Sequence, residues 1–204
     1  MIRQVATWNV NSLRVRLPHL AEWLAANPVD VMALQETKLP DADFPAADLQ
    51  ALGWNSACSG QRTYNGVAIL SRNPATDVLA GTPSFDDEQR RVLAVSLGSL
   101  RVIDVYVPNG QTVGSDKFAY KLRWFDALRE YVAAELTRHP HLVGGDAFVG
   151  LAGRTEPGLR LGHVVVVLAP VLARVGRVHP FARGGVQQPP QQGVGTRTDF
   201  GFHR

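Results

Sequence analysis

The stretch QVATWNVNSLRVRLPHLAEWLAANPVDVMALQETK, residues 4–38, decides the fold. Its ends, 4–10 and 29–36, are short apolar runs of strand length that finish in polar residues. Between them, apolar residues recur at helical spacing, Pro18 suits the first turn of a helix, and the Asn-Pro pair at 27–28 ends it. The stretch therefore predicts a strand, a short helix and a second strand.

Strand and helix patterns alternate along the rest of the first 146 residues. From Asp116 to Arg138, apolar residues recur every three or four positions between charged ones, which predicts a long amphipathic helix. Clusters of Asn, Pro, Gly and Asp separate the other apolar runs and predict turns. The fold class is therefore α/β (α+β). Further strands are predicted at 64–71, 91–97, 100–107 and 141–146, and within the apolar run 163–172.

Length and composition favour one domain. A chain of 204 residues with 45% hydrophobic content can bury one sizeable core. Cys58 is the only cysteine, so an internal disulfide is excluded and a reducing compartment is favoured. No stretch approaches the roughly 20 apolar residues that span a bilayer, and the N-terminus lacks a signal-peptide pattern. We expect a monomeric, cytoplasmic protein without a membrane segment.

The C-terminal part differs in composition from the rest. Residues 141–204 hold 7 basic and 3 acidic residues, and 186–195, VQQPPQQGVG, is of low complexity. A basic surplus of this size is weak support for nucleic-acid binding. We expect 1–146 to be the N-terminal portion of a catalytic domain and 147–204 to be a degenerate or poorly ordered remainder of it.

Polar side chains follow three predicted strands at the points where the strands end. Asn9 and Asn11 follow the first, Gln35 and Glu36 the second, and Asp146 ends a later one. A lone acidic residue at such a place is usually solvated or caps a turn. If the strand ends converge, however, an amide and two carboxylates form a site for a hard cation such as Mg²⁺, which prefers oxygen ligands.

Six motifs in a fixed order link this chemistry to a known family. Their order and wording resemble the exonuclease III family of the endonuclease/exonuclease/phosphatase superfamily, over about residues 2–146. The motifs are TWNVNSLRVR at 7–16, ALQETKL at 33–39, YNGVAILS at 64–71, VYVPNGQ at 105–111, KFAYKLRWFDAL at 117–128 and GGD at 144–146.

The resemblance implies a fold, an activity and a partner. The fold would be a four-layer αββα sandwich. The activity would be Mg²⁺-dependent cleavage of the DNA backbone, with Mn²⁺ as an alternative ion, by a 3′-to-5′ exonuclease and abasic-site endonuclease of DNA repair. The partner would be double-stranded DNA with an abasic site or a 3′ end.

The resemblance also implies roles for individual residues. Glu36 would be the main metal ligand, with Asn9 beside it, Tyr106 near the scissile phosphate and Asp146 at the attacking water. Asn109 would lie in a loop that faces DNA. Two basic residues, Arg91 and Lys121, would contact the DNA backbone. A strand tyrosine is more often a packing residue, and an Asn before Gly is usually a turn former.

The sequence departs from the family pattern after Asp146. In GGDAF, Phe148 stands where the family has Asn, and in GLRLGH at 158–163, Gly162 stands where it has Asp. The final Ser-Asp-His-Ala-Pro signature is reduced to TDFGF at 198–202. We therefore expect the second half of the sandwich to be incomplete, and one hypothesis is a frameshift or deletion after codon 146.

Three functions remain open at this point. The first is the DNA phosphodiesterase, intact or impaired. The second is a catalytically inactive, DNA-binding remnant of the family. The third is a phosphatase of the same superfamily that acts on a lipid or inositol phosphate, because the metal chemistry is shared; the NSLR and PNGQ segments favour DNA over this alternative.

Overall fold

The structure is a computed structural model that describes residues 2, 4–139, 141–145 and 165–168. Within that part, two β-sheets are flanked by helices, and no helix is both long and apolar enough to cross a lipid bilayer. The α-helices are α1 (Leu13–Ala26), α2 (Ala46–Ala51) and α3 (Asp116–Arg138). The strands are β1 (Val5–Asn9), β2 (Val31–Gln35), β3 (Asn55–Ser59), β4 (Val67–Ser71), β5 (Thr76–Ala80), β6 (Val92–Leu97), β7 (Leu100–Val105), β8 (His141–Gly145) and β9 (Val165–Leu168).

Each sheet contains one parallel pair of strands. The first sheet has the order β1-β2-β4-β3, with β1 parallel to β2 and Asn9 opposite Gln35. The second has the order β5-β6-β7-β8-β9, with β7 parallel to β8 and Asp104 opposite Gly145. Because parallel strands end at the same edge, the polar residues after β1 and β2 lie side by side.

Three buried clusters separate four layers. Alternate residues of each strand point to opposite faces, so each sheet has an inner and an outer apolar face. Between the sheets pack Val31, Val67, Ile69, Leu93, Val95 and Val102. Against α1 pack Met32, Leu34 and Leu70, with Leu20 and Leu24 of the helix. Against α3 pack Val92, Ala94 and Ile103, with Trp124 and Tyr131 of the helix. This arrangement confirms the predicted αββα sandwich.

The predicted start and length of the first helix are wrong. Helix α1 begins at Leu13 and has 14 residues, so Pro18 lies in its interior rather than in its first turn. Proline removes the N–H that would bond to the carbonyl of Arg14, at a cost of about 3 kcal/mol. The start is set instead by Leu13, which is fully buried and donates its N–H to the carbonyl of Thr37. The predicted end at Asn27 is confirmed.

The other predicted elements are confirmed, with small shifts in their ends. Helix α3 has the predicted bounds, and β9 lies within the predicted run 163–172. Strand β4 begins at Val67 rather than at residue 64, because Asn65 and Gly66 have φ values of 53° and 88°. Strands β3 and β5 and helix α2 were not predicted. Their sequences, NSACS, TDVLA and AADLQA, are short and lack a clear apolar period.

Helix α3 buries a different face from the one that its apolar residues suggest. Leu122, Phe125 and Leu136 are 50%, 36% and 37% exposed. The buried residues are Lys121, Trp124, Ala127, Tyr131 and Glu135. The helix therefore buries a lysine and a glutamate. The glutamate, Glu135, forms an ion pair with a residue of the second sheet.

That partner is Arg101 of β7, which is 1% exposed, as is Glu135. Its Nε lies 2.5 Å from Glu135 Oε2. Its Nη1 contacts Asp77 Oδ2 at 3.2 Å, Ser96 Oγ at 3.1 Å and the Asp77 carbonyl, and its Nη2 donates to the Tyr131 hydroxyl at 3.5 Å. Arg138 adds a contact of 2.8 Å to Glu135 Oε1. A buried charge is tolerated only when it is paired and hydrogen-bonded, so removal of one member leaves the other uncompensated.

We therefore expect Glu135→Leu to lower the free energy of unfolding by roughly 3–5 kcal/mol, because the buried Arg101 would lose its buried carboxylate partner and keep the half-exposed Asp77. Adding Arg101→Met should restore much of the loss, since both charges are then gone. Urea denaturation measures both values. The matched control is Glu130→Leu on the exposed face of α3, which should change stability by less than about 0.5 kcal/mol. Equal losses in Glu135→Leu and Glu130→Leu would contradict the prediction.

Candidate active site

Backbone hydrogen bonds hold the segments after β1 and β2 together. The N–H groups of Val10, Ser12 and Leu13 donate to the carbonyls of Gln35, Glu36 and Thr37 at 2.9, 2.8 and 3.0 Å. On the other side, Thr37 N–H donates to Gly66 at 3.2 Å and Lys38 N–H to Asn65 at 3.0 Å. Three segments that are distant in sequence are thus joined at one edge of the first sheet.

The backbone of these segments is strained. Asn11, Glu36, Lys38 and Asn65 have φ values of 45°, 53°, 56° and 53°. Such a conformation costs an L-residue other than glycine about 1–2 kcal/mol, and it persists only where the surrounding structure enforces it. Residues of this kind cluster at functional sites. The strain therefore supports a functional role for this edge of the sheet.

The carboxylate of Glu36 is the centre of the site. Its Oε1 accepts hydrogen bonds from Asn9 Nδ2 and from the Tyr106 hydroxyl, both at 2.8 Å. Its Oε2 lies 3.1 Å from Lys38 Nζ, which also donates to Asn11 Oδ1. The sequence raised the convergence of three strand ends as a hypothesis, and the structure brings Asn9, Asn11 and Glu36 of the first two together. Tyr106 joins them from the end of β7, so the site lies between the strand ends of both sheets.

These contacts set the protonation states of the site. Burial by itself would raise the pKa of Glu36, but hydrogen bonds from Asn9, Tyr106 and Lys38 outweigh it and hold the pKa below the ordinary 4.5. Burial, followed by the hydrogen bond to Glu36, raises the pKa of Tyr106 to about 12. At neutral pH, Glu36 is therefore an anion and the Tyr106 hydroxyl a neutral donor.

Arg91 supports Tyr106. Its guanidinium lies over the tyrosine ring, 4.7 Å from the centroid, and its Nη1 donates to the Tyr106 carbonyl at 3.2 Å. Gln89 Oε1 in turn accepts from Arg91 Nε at 2.9 Å and from Asn65 Nδ2 at 3.3 Å. Two N–H donors of Arg91 are thus used in hydrogen bonds within the protein. The contact of its remaining donors with the DNA backbone stays a prediction.

A buried polar pair lies beneath the site. Gln35, a predicted strand-end residue, is fully buried and faces the second sheet instead of the cation site. Its Nε2 donates to Asp104 Oδ1 at 2.6 Å and to Thr7 Oγ1 at 3.0 Å. Asp104 was missed in the sequence, although an acidic residue inside the apolar run at 100–107 was a signal for it.

The remaining predicted residues differ in position. Asn109 is exposed, and its Oδ1 accepts from Gln111 N–H at 3.0 Å, as in a turn. Lys121 is 7% exposed, with its ammonium over the Phe125 ring, and its contact with the DNA backbone stays a prediction. Asp146 lies outside the described residues, as do Phe148, Gly162 and the tail after residue 168. Lys38 was missed as a site residue, although it lies two positions after Glu36.

The oxygen atoms of the site suit a hard divalent cation. Within the described ranges, no three or more His, Cys, Asp and Glu side chains lie together so that they could hold a metal ion. Mg²⁺ nevertheless commonly uses one or two protein carboxylates and completes its shell with water and phosphate. Glu36 and the neighbouring amide oxygen of Asn11 fit that requirement, and a soft metal would have no sulfur or imidazole ligand here.

An open groove of about 470 Å³ is lined by Lys38, whose ammonium contacts Glu36. Three of its lining residues are basic, and only one is acidic. Arg14 and that acidic residue, Asp43, form an exposed ion pair of 3.7 Å. Guanidinium and ammonium groups beside a metal site suit a phosphate backbone. The lining residues are Ser12, Arg14, Lys38, Leu39, Pro40, Asp43, Arg62 and Thr63.

Comparison with known sequences agrees with this geometry. Residues 6–147 match the model of the endonuclease/exonuclease/phosphatase family. The chain belongs to this family. Exodeoxyribonuclease III of Haemophilus influenzae is 31% identical over 147 residues, which cover 69% of this chain and 55% of that protein. The family match ends next to residue 146, where the sequence predicted that the resemblance stops.

Two solved structures are similar to this chain over about the same part of its length. A 3′ phosphatase from Neisseria, NExo, bound to a product DNA hairpin, is 53% identical with a TM-score of 0.69 over 71% of this chain and 56% of that chain. An AP endonuclease from Archaeoglobus fulgidus is 35% identical with a TM-score of 0.67 over 70% and 56% of the two chains. The chain thus spans little more than half the length of these relatives.

In metal-free protein, we expect Tyr106→Phe to raise the pKa of Glu36, because the charged form loses an O–H donor. Since the pKa is depressed in the folded state, the stability that Glu36 contributes is present above pH 4.5 and is lost as the pH falls through the folded pKa. Carbon-13 NMR titration of the carboxyl group in EDTA measures the shift. Tyr64→Phe, at a tyrosine that is 68% exposed, is the control. An unchanged Glu36 pKa in Tyr106→Phe would contradict the geometry.

Proposed function

We propose that this protein is a Mg²⁺-dependent DNA phosphodiesterase that acts at 3′ ends and abasic sites in DNA repair. The observation that carries the proposal is the Glu36 carboxylate, which Asn9 and Tyr106 hold at 2.8 Å between the strand ends of the two sheets. A depressed carboxylate pKa keeps this group charged at neutral pH, as a metal ligand must be. Mn²⁺ is the alternative ion, because it prefers the same oxygen ligands.

Each residue of the site has a task in this proposal. Mg²⁺ bound at Glu36 would polarise a phosphoryl oxygen and help stabilise the leaving oxygen. Asn9 orients Glu36, and the neutral hydroxyl of Tyr106 is available to donate to a phosphoryl oxygen as negative charge develops there. Asp146 is proposed to align the attacking water. Arg91 orients Tyr106 through the stacked guanidinium.

DNA is the favoured substrate for two reasons. The groove beside Glu36 contains Arg14, Lys38 and Arg62, a set of cations that suits a phosphate chain better than a single headgroup. The exposed Asn109 adds a polar contact from the loop after Tyr106. The relatives described above are nucleases or a phosphatase bound to a DNA hairpin, which favours DNA over a lipid or inositol phosphate. The cytoplasmic location and monomeric state remain predictions.

A second candidate function is DNA binding without turnover. It is favoured by Phe148 and Gly162, which occupy positions where the family pattern has an active-site Asn and Asp. The groove and Glu36 precede these positions in the chain, so a chain impaired there would keep its contacts to phosphate. Such binding should weaken strongly as salt rises, because each phosphate contact releases counterions.

The test is cleavage of labelled duplex DNA that carries an abasic site or a recessed 3′ end. With Mg²⁺ we expect cleavage that EDTA abolishes, that Glu36→Gln lowers at least about a hundredfold, and that Tyr106→Phe lowers by on the order of a hundredfold. Glu22→Gln, at an exposed position of α1, is the matched control and should retain full activity. Salt-sensitive binding without cleavage would select the second function, and absence of both would reject the two together.

A further inference from the structure

Lys38 occupies the approach to Glu36 that a cation would use. Asn9 and Tyr106 both donate to Oε1 of the carboxylate, whereas Oε2 has the Lys38 ammonium as its neighbour at 3.1 Å. The same ammonium binds Asn11 Oδ1. One carboxylate oxygen and one amide oxygen thus surround a positive charge, and they are the same oxygen atoms that fit a hard divalent cation.

The backbone conformation positions Glu36 and Lys38 for their ion pair. Glu36 and Lys38 are two residues apart, both with positive φ, and Thr37 between them is 1% exposed. The Lys38 N–H is fixed by the carbonyl of Asn65 at 3.0 Å. The side chains of Glu36 and Lys38 are only 15% and 27% exposed, so their ion pair is better shielded from solvent than a typical surface pair.

The charges at the site make the ammonium and a metal ion competitors. Among the described side chains that contact Glu36 directly, Lys38 is the cation, while Asn9 and Tyr106 are neutral; Arg91 contacts Tyr106 rather than Glu36. A divalent cation at Glu36 would meet a like charge within a few ångströms, and the repulsion between the two opposes its binding. Lys38 must therefore either weaken metal binding or move when the metal ion binds.

We propose that Lys38 is a displaceable counter-cation that closes the Glu36 site in the metal-free protein and leaves it when a divalent cation binds. The inference rests on the proposed function, in which Glu36 holds Mg²⁺. The groove gives the ammonium a destination, because Lys38 already lines it together with Arg14 and Arg62. Release of Lys38 adds a positive charge to the surface that faces the phosphate backbone.

This displacement couples the two binding events. A metal ion frees Lys38 for a phosphate, and a bound phosphate in the groove draws Lys38 away from the carboxylate. By linkage, DNA and the metal ion then increase each other's affinity by the same factor. Metal-free protein keeps its carboxylate neutralised and its groove less positive.

The first test measures metal affinity without any reaction. Metal-free protein is titrated with Mn²⁺ alone, and the electron paramagnetic resonance signal of free Mn²⁺ gives the dissociation constant. We expect Lys38→Met to bind Mn²⁺ at least about tenfold more tightly than the unmodified protein, because the competing charge is gone. Lys117→Met, at an exposed lysine of α3, should bind like the unmodified protein.

Two failures can be told apart in this titration. Equal Mn²⁺ affinity in Lys38→Met and the unmodified protein overturns the counter-cation proposal and leaves the metal site intact. Absence of Mn²⁺ binding in every variant overturns the metal site itself, and the present proposal with it. Circular dichroism of each variant confirms that the comparison is made between folded proteins.

The second test uses the unmodified protein and therefore does not depend on folding of a variant. The chain has three lysines, Lys38, Lys117 and Lys121. After brief treatment with an amine-reactive reagent, peptide mass spectrometry gives the labelled fraction of each. We expect labelling of Lys38 to rise several-fold when Mg²⁺ replaces EDTA, while labelling of Lys117 stays constant. Unchanged labelling of Lys38 with bound Mg²⁺ would overturn the displacement.

Discussion

A hydrogen bond of 2.6 Å between Gln35 and Asp104 crosses the buried space between the two sheets, and the site depends on it. Both residues are fully buried, so the bond satisfies groups that would otherwise be costly to keep away from water. Gln35 directly precedes Glu36, and Asp104 lies two residues before Tyr106. The bond therefore fixes strands β2 and β7 relative to each other, so that the Tyr106 hydroxyl after β7 reaches the Glu36 carboxylate after β2. Apolar packing alone has no direction and would allow the sheets to slide.

The local strain follows from the same requirement. Chains that leave parallel strands normally diverge into loops, but here Glu36 and Lys38 turn back in the left-handed region with φ of 53° and 56°. Hydrogen bonds from Ser12 and to Asn65 hold that conformation. These hydrogen bonds and the packing of the layers below offset the backbone strain. The donors around Glu36 are thereby placed to keep its carboxylate oriented and charged.

Much of the fold could be predicted, because apolar residues form clear runs in the central strands and recur at helical spacing in α3. The buried face of α3 could not, since its apolar residues suggest one stripe while Arg101 and Glu135 select another. Local periodicity contains no information about a buried charge on a strand far away. The convergence of Asn9 and Glu36 was predictable from strand ends and motifs. The places of Gln35 and Lys38 were not, because strand register and backbone φ decided them, and a sequence pattern specifies neither.

The described site also separates two parts of the proposed chemistry along the chain. Every donor that holds Glu36, from Asn9 to Tyr106, lies before the point at which the family match ends, and so do the basic residues of the groove. Within the described residues, the hydrogen bonds that lower the pKa of Glu36 come from Asn9, Tyr106 and Lys38. In the proposed function, the residues that would hold the ion and the phosphate therefore precede residue 146, whereas the residue proposed to align the attacking water is Asp146 itself. On that proposal, divergence after residue 146 would reduce turnover before it reduced binding.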